Sequence, residues 1–293
     1  MKKIFLLLLS LTGLTVFAQQ KTISQAIITT KTTIIAPEGE DDAAPQASAS
    51  GDGGERRVMM RFGDAGETKA VTYLKNDLVK TVIKTDMANT VTIRDNAEKK
   101  TTTLMEMMGN KTGFYATDAD QEEMRKRMDS MIKVRSENAI PGTNTPPVID
   151  VVYTDGTKKF AGFECKKALV IVTKNTSVTT ETTITVKPVS DTNIVWYCPD
   201  IKLQGITSTG GSSGPFSFGR ITSLSGLDKI NGFPMEYEMK MPRGRKMVVE
   251  VTKLETDKEV KDKEFEIPKD YDIKPMKDMQ NGGRGNFQIR VGG

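Results

Sequence analysis

The chain has no histidine. Ser-His-Asp and Cys-His catalysis are therefore ruled out, along with zinc sites that rely on imidazole. Cysteine is nearly as scarce, with only Cys165 and Cys198. Two thiols on their own make a poor metal site. There is a single tryptophan, Trp196, and aromatics make up 6% of the chain. An excess of one charge is missing too. The 42 Lys and Arg are interspersed with 38 Asp and Glu, so no basic surface for nucleic acid emerges. Beyond the first 18 residues no run is apolar enough to cross a bilayer, and the mature chain is read as not membrane-spanning.

Other absences narrow the chemistry further. The glycine-rich run STGGSSGPFSFG at 208–219 lacks the Gly-Lys-Ser/Thr ending of a phosphate loop and reads as a flexible connection. DADQEE, with Asp118, Asp120 and Glu122, lacks the glycine and distal glutamate of a calcium loop. No carboxylate pair stands out for hydrolysis. The expectation is a non-enzymatic protein without a cofactor.

What is present begins with an address. MKKIFLLLLSLTGLTVFA places two lysines before an apolar run that ends in small residues. Residues 1–18 read as a signal peptide cleaved after Ala18. No cysteine follows the cut, so no lipid anchor is expected, and the mature protein is periplasmic or secreted. Losing Lys2 and Lys3 lowers the formal net charge of +4 to +2.

The remainder, 19–275, reads as one mainly β (α+β) domain. Thr- and Ile-rich residues 22–35 suit a pleated surface. APEGEDDAAPQASASGDGGE at 36–55 is small, acidic and rich in Pro, Gly and Ser, and reads as a disordered insert. Short strands are expected near 57–63, 68–75, 77–84 and 89–94. Turns separate them at Asn76-Asp77 and Asp95-Asn96, and a further turn is expected at Gly109-Asn110. From residue 148 two strands are expected around Asp155-Gly156, followed by strands in TTITVKPV and NIVWYC. A last strand is expected near 263–268, and residues 276–293 read as a flexible Gly-rich tail.

Two segments carry the most information. TDADQEEMRKRMDSMIKV, near 118–134, has Met124, Met128, Met131 and Ile132 at helical spacing and reads as the one main amphipathic helix. PMEYEMKMPRGRKMVVEVTKL alternates Met235, Tyr237 and Met239 with charged residues. Matching its apolar faces sets Met239 opposite Met247 and Tyr237 opposite Val249. Pro242-Arg243-Gly244 then closes a three-residue loop, with Gly244 in the left-handed position.

The cysteines share strand faces with apolar residues: Cys165 with Phe163, Leu169 and Ile171, and Cys198 with Trp196 and Ile194. In an oxidising compartment, two cysteines in such a chain favour a Cys165–Cys198 disulfide. The alternative is two separate buried thiols. Methionine clusters such as MEMM and MKM read as core or as an adaptable apolar wall rather than as copper ligands.

KKFAGFECKKA, VWYCPDI, INGFPMEYEM and FEIPKDYDIKPM occur in that order. The set resembles the secreted bacterial family called domain of unknown function 4412, with its C-terminal Phe-x-Ile/Val-Pro-x-x-Tyr signature. It is also similar to the GLPGLI family. The matching residues are Gly162, Cys165, Lys166, Lys167, Trp196, Tyr197, Asp200, Ile201, Phe265, Ile267, Pro268 and Tyr271. The resemblance implies a lipoprotein-carrier-like fold, a curved antiparallel half-barrel with the 118–134 helix packed on its concave face. It brings no established activity and no catalytic residues. The function this suggests is holding a lipid or other apolar small molecule in the concave face. Candidate walls are Met124, Met128 and Met131 on the helix and Met235, Tyr237 and Met239 on the hairpin. The alternative is a structural or interaction component, partnered by another envelope protein, whose concavity is filled by its own side chains.

Overall fold

The computed structural model describes residues 21–37, 66–85, 88–136, 145–179, 184–204, 226–241 and 244–281. The signal segment 1–18, residues 38–55 of the acidic insert, the strand expected at 57–63, the 208–219 run and residues 282–293 of the tail lie outside the described residues.

The architecture is mostly β: a large, open, curved sheet with few helices and no barrel closure. The strands are β1 (Lys21–Ile23), β2 (Gln25–Ile35), β3 (Gly66–Lys75), β4 (Leu78–Lys84), β5 (Ala88–Asp95), β6 (Lys100–Met107) and β7 (Asn110–Thr117), followed by helix α1 (Asp118–Ser136). Then come β8 (Val148–Phe160), β9 (Phe163–Thr179), β10 (Ile184–Cys198), β11 (Ile201–Leu203), β12 (Phe233–Lys240), β13 (Lys246–Glu255) and β14 (Asp272–Pro275), and a short helix α2 (Met276–Asn281). Twelve of the strands form one sheet in the order β14-β7-β6-β5-β4-β3-β2-β13-β12-β10-β9-β8, and β1 pairs with β11 alongside it. Pairing within the sheet is antiparallel except where β14 joins β7.

The hairpins follow their turn chemistry. Lys75 faces Leu78 across Asn76-Asp77, and Asn76 takes the left-handed φ of 52° that asparagine tolerates. The β12–β13 hairpin has the expected register, with Tyr237 opposite Val249 and Met239 opposite Met247. Gly244 has the left-handed φ of 71° that closes its loop. The turn between β6 and β7 falls one residue earlier than expected, on Met108-Gly109, both with positive φ.

Two expectations are corrected. Asp155-Gly156 is not a turn. β8 runs through it with a register shift between Thr154 and Thr157, and the hairpin closes at Ala161-Gly162, where Phe160 faces Phe163. An Asp-Gly pair suits a bulge as well as a turn. Here the missing side chain lets β8 lie against its neighbours: a Cβ on Gly156 would come within 3.2 Å of Lys167 and 3.4 Å of Trp196. Residues 263–268 are not a strand either. Asp262–Phe265 is a 3-10 turn, and the strand comes later, as β14. Phe265 is the buried side chain of that turn, so no alternation exists to hold a strand there. In the tail, residues 276–281 form α2.

Pairing propagates one face across the sheet. Val195, Tyr237, Val249, Thr32 and Thr68 stand in a row on β10, β12, β13, β2 and β3. On this face a core cluster joins Met235, Tyr237, Met239, Met247, Val249 and Val251 to Ala26, Ile28, Leu74 and Val79. The β1–β11 pair adds Ile23, Ile201 and Leu203, and the loop at 226–233 adds Leu227, Ile230 and Phe233. Further along the same face the row becomes Thr72, Thr81, Thr92 and Thr103 on β3 to β6. Thr72 and Thr81 share a hydrogen bond of 3.0 Å.

The reverse face of that threonine half carries the buried Ile93, Thr102 and Leu104. A strap, residues 260–271, crosses it. Val260 and Phe265 are buried. Lys75 pairs with Asp262 at 2.6 Å and Lys111 with Asp270 at 2.6 Å, and Lys80 Nζ donates to the Glu264 carbonyl at 2.5 Å.

Helix α1 starts on a reciprocal cap. Asp120 accepts from the Thr117 N–H at 2.8 Å, and the Asp120 N–H donates to Thr117 Oγ1 at 3.2 Å. Arg94 grips Asp118 with two hydrogen bonds, of 2.5 and 2.9 Å. The stripe expected to carry the helix onto the concave face includes Met128, Met131 and Ile132, whose side chains lie outside the described residues. The helix contacts β7, the strand it follows, and its described side chains are exposed or half-buried. Its described surface sets Met124 and Ala119 among charged, amide and hydroxyl side chains, with Arg125 and Arg127 bonded to Glu122 and Glu123. Among the described residues no helix is long and apolar enough to cross a membrane.

Candidate functional site

The candidate wall residues do not form one site. Met235 and Tyr237 are fully buried, and Met239 is buried beside them in the core cluster. The period of two that made β12 look like a wall is what packs it against β10 and β13. Met124 is half-buried on α1. Met128 and Met131 lie on α1, and their side chains lie outside the described residues. α1 contacts β7, and β7 and β12 are seven strand spacings apart in the sheet order. At about 4.8 Å per strand that is roughly 34 Å along the sheet. Met124 instead lines a shallow cleft of about 40 Å³ with Asp120, Glu123, Arg127, Met276 and Lys277. Small-molecule sites run to roughly 300–1,000 Å³, and four of these six lining residues are charged.

Cys165 and Cys198 are not bonded to each other; both are free and buried. The β9–β10 ladder ends at Tyr197 opposite Lys166, so the two cysteines fall at the next step. Burial pushes the Cys165 thiol up to about 12, and nearby Cys198 adds to the shift. Burial also raises Cys198. Disulfide formation requires a thiolate, and both sulfurs sit where the thiolate is disfavoured. Held protonated by burial, neither thiol is activated as a nucleophile in this arrangement.

Cysteine, tryptophan and the sequence motifs do converge in space. Cys198 faces Phe233 across β10–β12. Gly232 lies against the Cys198 backbone so closely that a Cβ would sit 2.4 Å from its carbonyl oxygen. On the reverse face Lys167, Trp196 and Glu236 stand opposite one another on β9, β10 and β12. Lys158 Nζ lies 4.3 Å from the Phe160 ring centre, 5.8 Å from that of Trp196 and 3.5 Å from Glu236. Burial raises the Glu236 carboxyl, and Lys158 works in the other direction. The group has cations over aromatic rings and a partnered carboxylate, and no activated nucleophile.

A third feature escaped sequence reading. Tyr237 Oη and Thr32 Oγ1 are buried side-chain oxygens with no hydrogen-bond partner among the described residues. Burial raises the Tyr237 phenol strongly, so it stays protonated. The only trace in sequence is a tyrosine among methionines, and alternation alone reads that as core.

The sheet edge is a fourth feature. β8 ends the strand order. Val148, Val152 and Tyr153 on it are exposed. The loop at 226–231 braces this edge. Lys229 Nζ donates to the Ile149 carbonyl at 2.6 Å, and Tyr153 Oη donates to the Lys229 carbonyl at 3.2 Å. The Asn231 N–H donates back to Tyr153 Oη at 3.1 Å.

No family model matches the chain, and no curated protein matches it. Two structures of PNGF-II, in P21 and C2 crystal forms, align with TM-scores of 0.36 and 0.37 at 13% and 14% identity. Each alignment covers 88% of this chain and 33% or 32% of the other. The chain thus spans about a third of the length of those proteins, and a likeness at that level carries neither fold nor function across.

Proposed function

We propose that this is a non-enzymatic protein of the bacterial envelope or its surroundings that acts as a structural or protein-interaction component. The carrying observation is that Met235, Tyr237 and Met239, the residues best suited to grip an apolar ligand, are packed inside the protein's own core. The leader MKKIFLLLLSLTGLTVFA supports the location, and the motif order resembling domain of unknown function 4412 supports the class. The exposed apolar residues on the β8 edge give such a protein a place to meet a partner.

Carriage of a lipid or other apolar molecule is the second reading, and the two unpartnered hydroxyls on the core face favour it. Native mass spectrometry of gently purified protein, with organic extraction and an apolar dye titration, separates the two. The structural reading predicts a single protein mass and no dye uptake. Co-purified lipid in stoichiometric amount overturns it in favour of the second.

A further inference from the structure

The two ends of the sheet are finished differently. β14, at one end, is 4 residues long and closes on Pro275, which has no N–H to offer a further strand. β8, at the other end, runs for 13 residues, and among the described residues no strand pairs with its outer side. From Val148 to Thr154, before its register shift, it pairs with β9 without a break. Val148 and Val152 project from one face of that stretch and Tyr153 from the other, and all three are exposed. A long edge with exposed apolar side chains is a ready template for another strand.

The 226–231 loop meets this edge. Leu227 and Ile230 fix it in the core cluster. A Cβ on Gly226 would come within 2.7 Å of Ile149 Cγ2 and of Val170 Cγ1, so the loop lies directly on β8 and β9. From there the exposed Lys229 turns its ammonium onto the Ile149 carbonyl at 2.6 Å. Tyr153 Oη donates to the Lys229 carbonyl at 3.2 Å and accepts from the Asn231 N–H at 3.1 Å. Its ring stands edge-on to that of the buried Tyr197, with centres 5.5 Å apart, which holds the phenol in place. An antiparallel partner strand needs edge carbonyls as acceptors for its own N–H groups. At Ile149 that acceptor is taken by a charged donor, and charge-assisted bonds are the stronger kind. We propose that Lys229, positioned by Tyr153, guards the β8 edge and bars it from pairing with β8 of a second copy of this chain. A second copy is the partner to exclude, because it is present wherever the protein is and offers an equally long edge. Antiparallel pairing of a strand with its own copy closes about a twofold axis. The barred contact is made by backbone and between copies, so this inference goes beyond the partner surface proposed above and does not rest on it.

Removing the guard should make the protein associate. Lys229→Met keeps a long side chain and removes the ammonium. Tyr153→Phe keeps the ring on Tyr197 and removes both hydrogen bonds to the loop. In sedimentation equilibrium the unchanged protein should keep the mass of one chain as concentration rises, and both variants should climb towards the mass of two. In the associated variants, hydrogen exchange at Ile149 to Val152 should slow with concentration. Lys229→Arg, which keeps a cation at the edge, should stay a single chain. So should Lys202→Met, which loses the same charge from an exposed position on β11. If Lys229→Met and Tyr153→Phe both remain single chains, with exchange in β8 unchanged, the guard is overturned. Association without protection of β8 overturns it too, as does equal association of Lys202→Met or pairing of the unchanged protein through β8.

Discussion

The two halves of the sheet share the same hairpin geometry and are stabilised in different ways. In the half built from β9, β10, β12 and β13, the core cluster gathers Val195, Met235, Met239, Met247, Val249 and Val251 around Tyr237 on one face. In the half built from β3 to β7, that face keeps Leu74 and Val79 of the core cluster at one end and then carries the threonine row, and the buried Ile93 and Leu104 lie on the reverse beneath the 260–271 strap. A β-sheet can thus move its apolar side from one face to the other along its length. Where it does so, some other segment must cover the new side, and the strap of this protein fills that role. Phe265 is the buried anchor of the strap, and Tyr271 lies where Lys111 approaches its ring at 5.7 Å.

The largest effect is expected at that anchor. Phe265→Ala removes a buried aromatic and should cost about 3–5 kcal/mol in urea unfolding. Hydrogen exchange should quicken first in β4, β5 and β6. Exchange that quickens instead in β12 and β13 would break the division into two halves.

Met235→Ala comes next, at about 2–5 kcal/mol, as expected for a fully buried methionine. Thr92→Ala, half-exposed in the threonine row, should cost under about 1 kcal/mol. Denaturation midpoints compare the two directly. Equal losses would mean that both halves carry the same kind of core.

How much of this was legible in the sequence differs along the chain. The β12–β13 hairpin could be read to the residue, because alternation and the Pro-Arg-Gly loop constrain the same register. The bulge at Gly156 could not, since Asp-Gly serves a bulge and a turn equally well and the choice depends on Lys167 and Trp196 arriving from other strands. The strap was hidden for a similar reason: Phe265 finds its cover more than 150 residues away in sequence, under β4 and its neighbours. Methionines at period two or at helical spacing look alike whether they line a groove or fill a core. Met235 lies buried on β12 and Met124 half-buried on α1, which follows β7 at the far side of the strand order. The pairing of Cys165 with Cys198 was argued from compartment and count, and neither reveals how far burial suppresses the thiolate.

A smaller effect is expected at the start of α1. Thr117→Ala removes the cap and should cost about 1 kcal/mol. The carboxyl of Asp120 is held below its usual 3.8 by hydrogen bonds from Thr117, and that of Asp118 by Arg94. A carboxyl lowered in the folded state contributes stability that is fully present above about 3.8 and is lost as pH falls through the lowered value. Helical circular dichroism should therefore decline in acid below that point, and Thr117→Ala should flatten the decline. A helix signal unmoved by either change would place the stability of α1 elsewhere.

Hydrogen exchange of β12 and β13, with and without a saturating long-chain fatty acid, shows whether the Tyr237 face is filled by the protein itself. Slow exchange is expected at Met235 to Met239 and Met247 to Val251 in the free protein, with no further slowing when the fatty acid is added. Fast exchange in the free protein that becomes protected on adding the fatty acid would contradict it and make this face a binding groove.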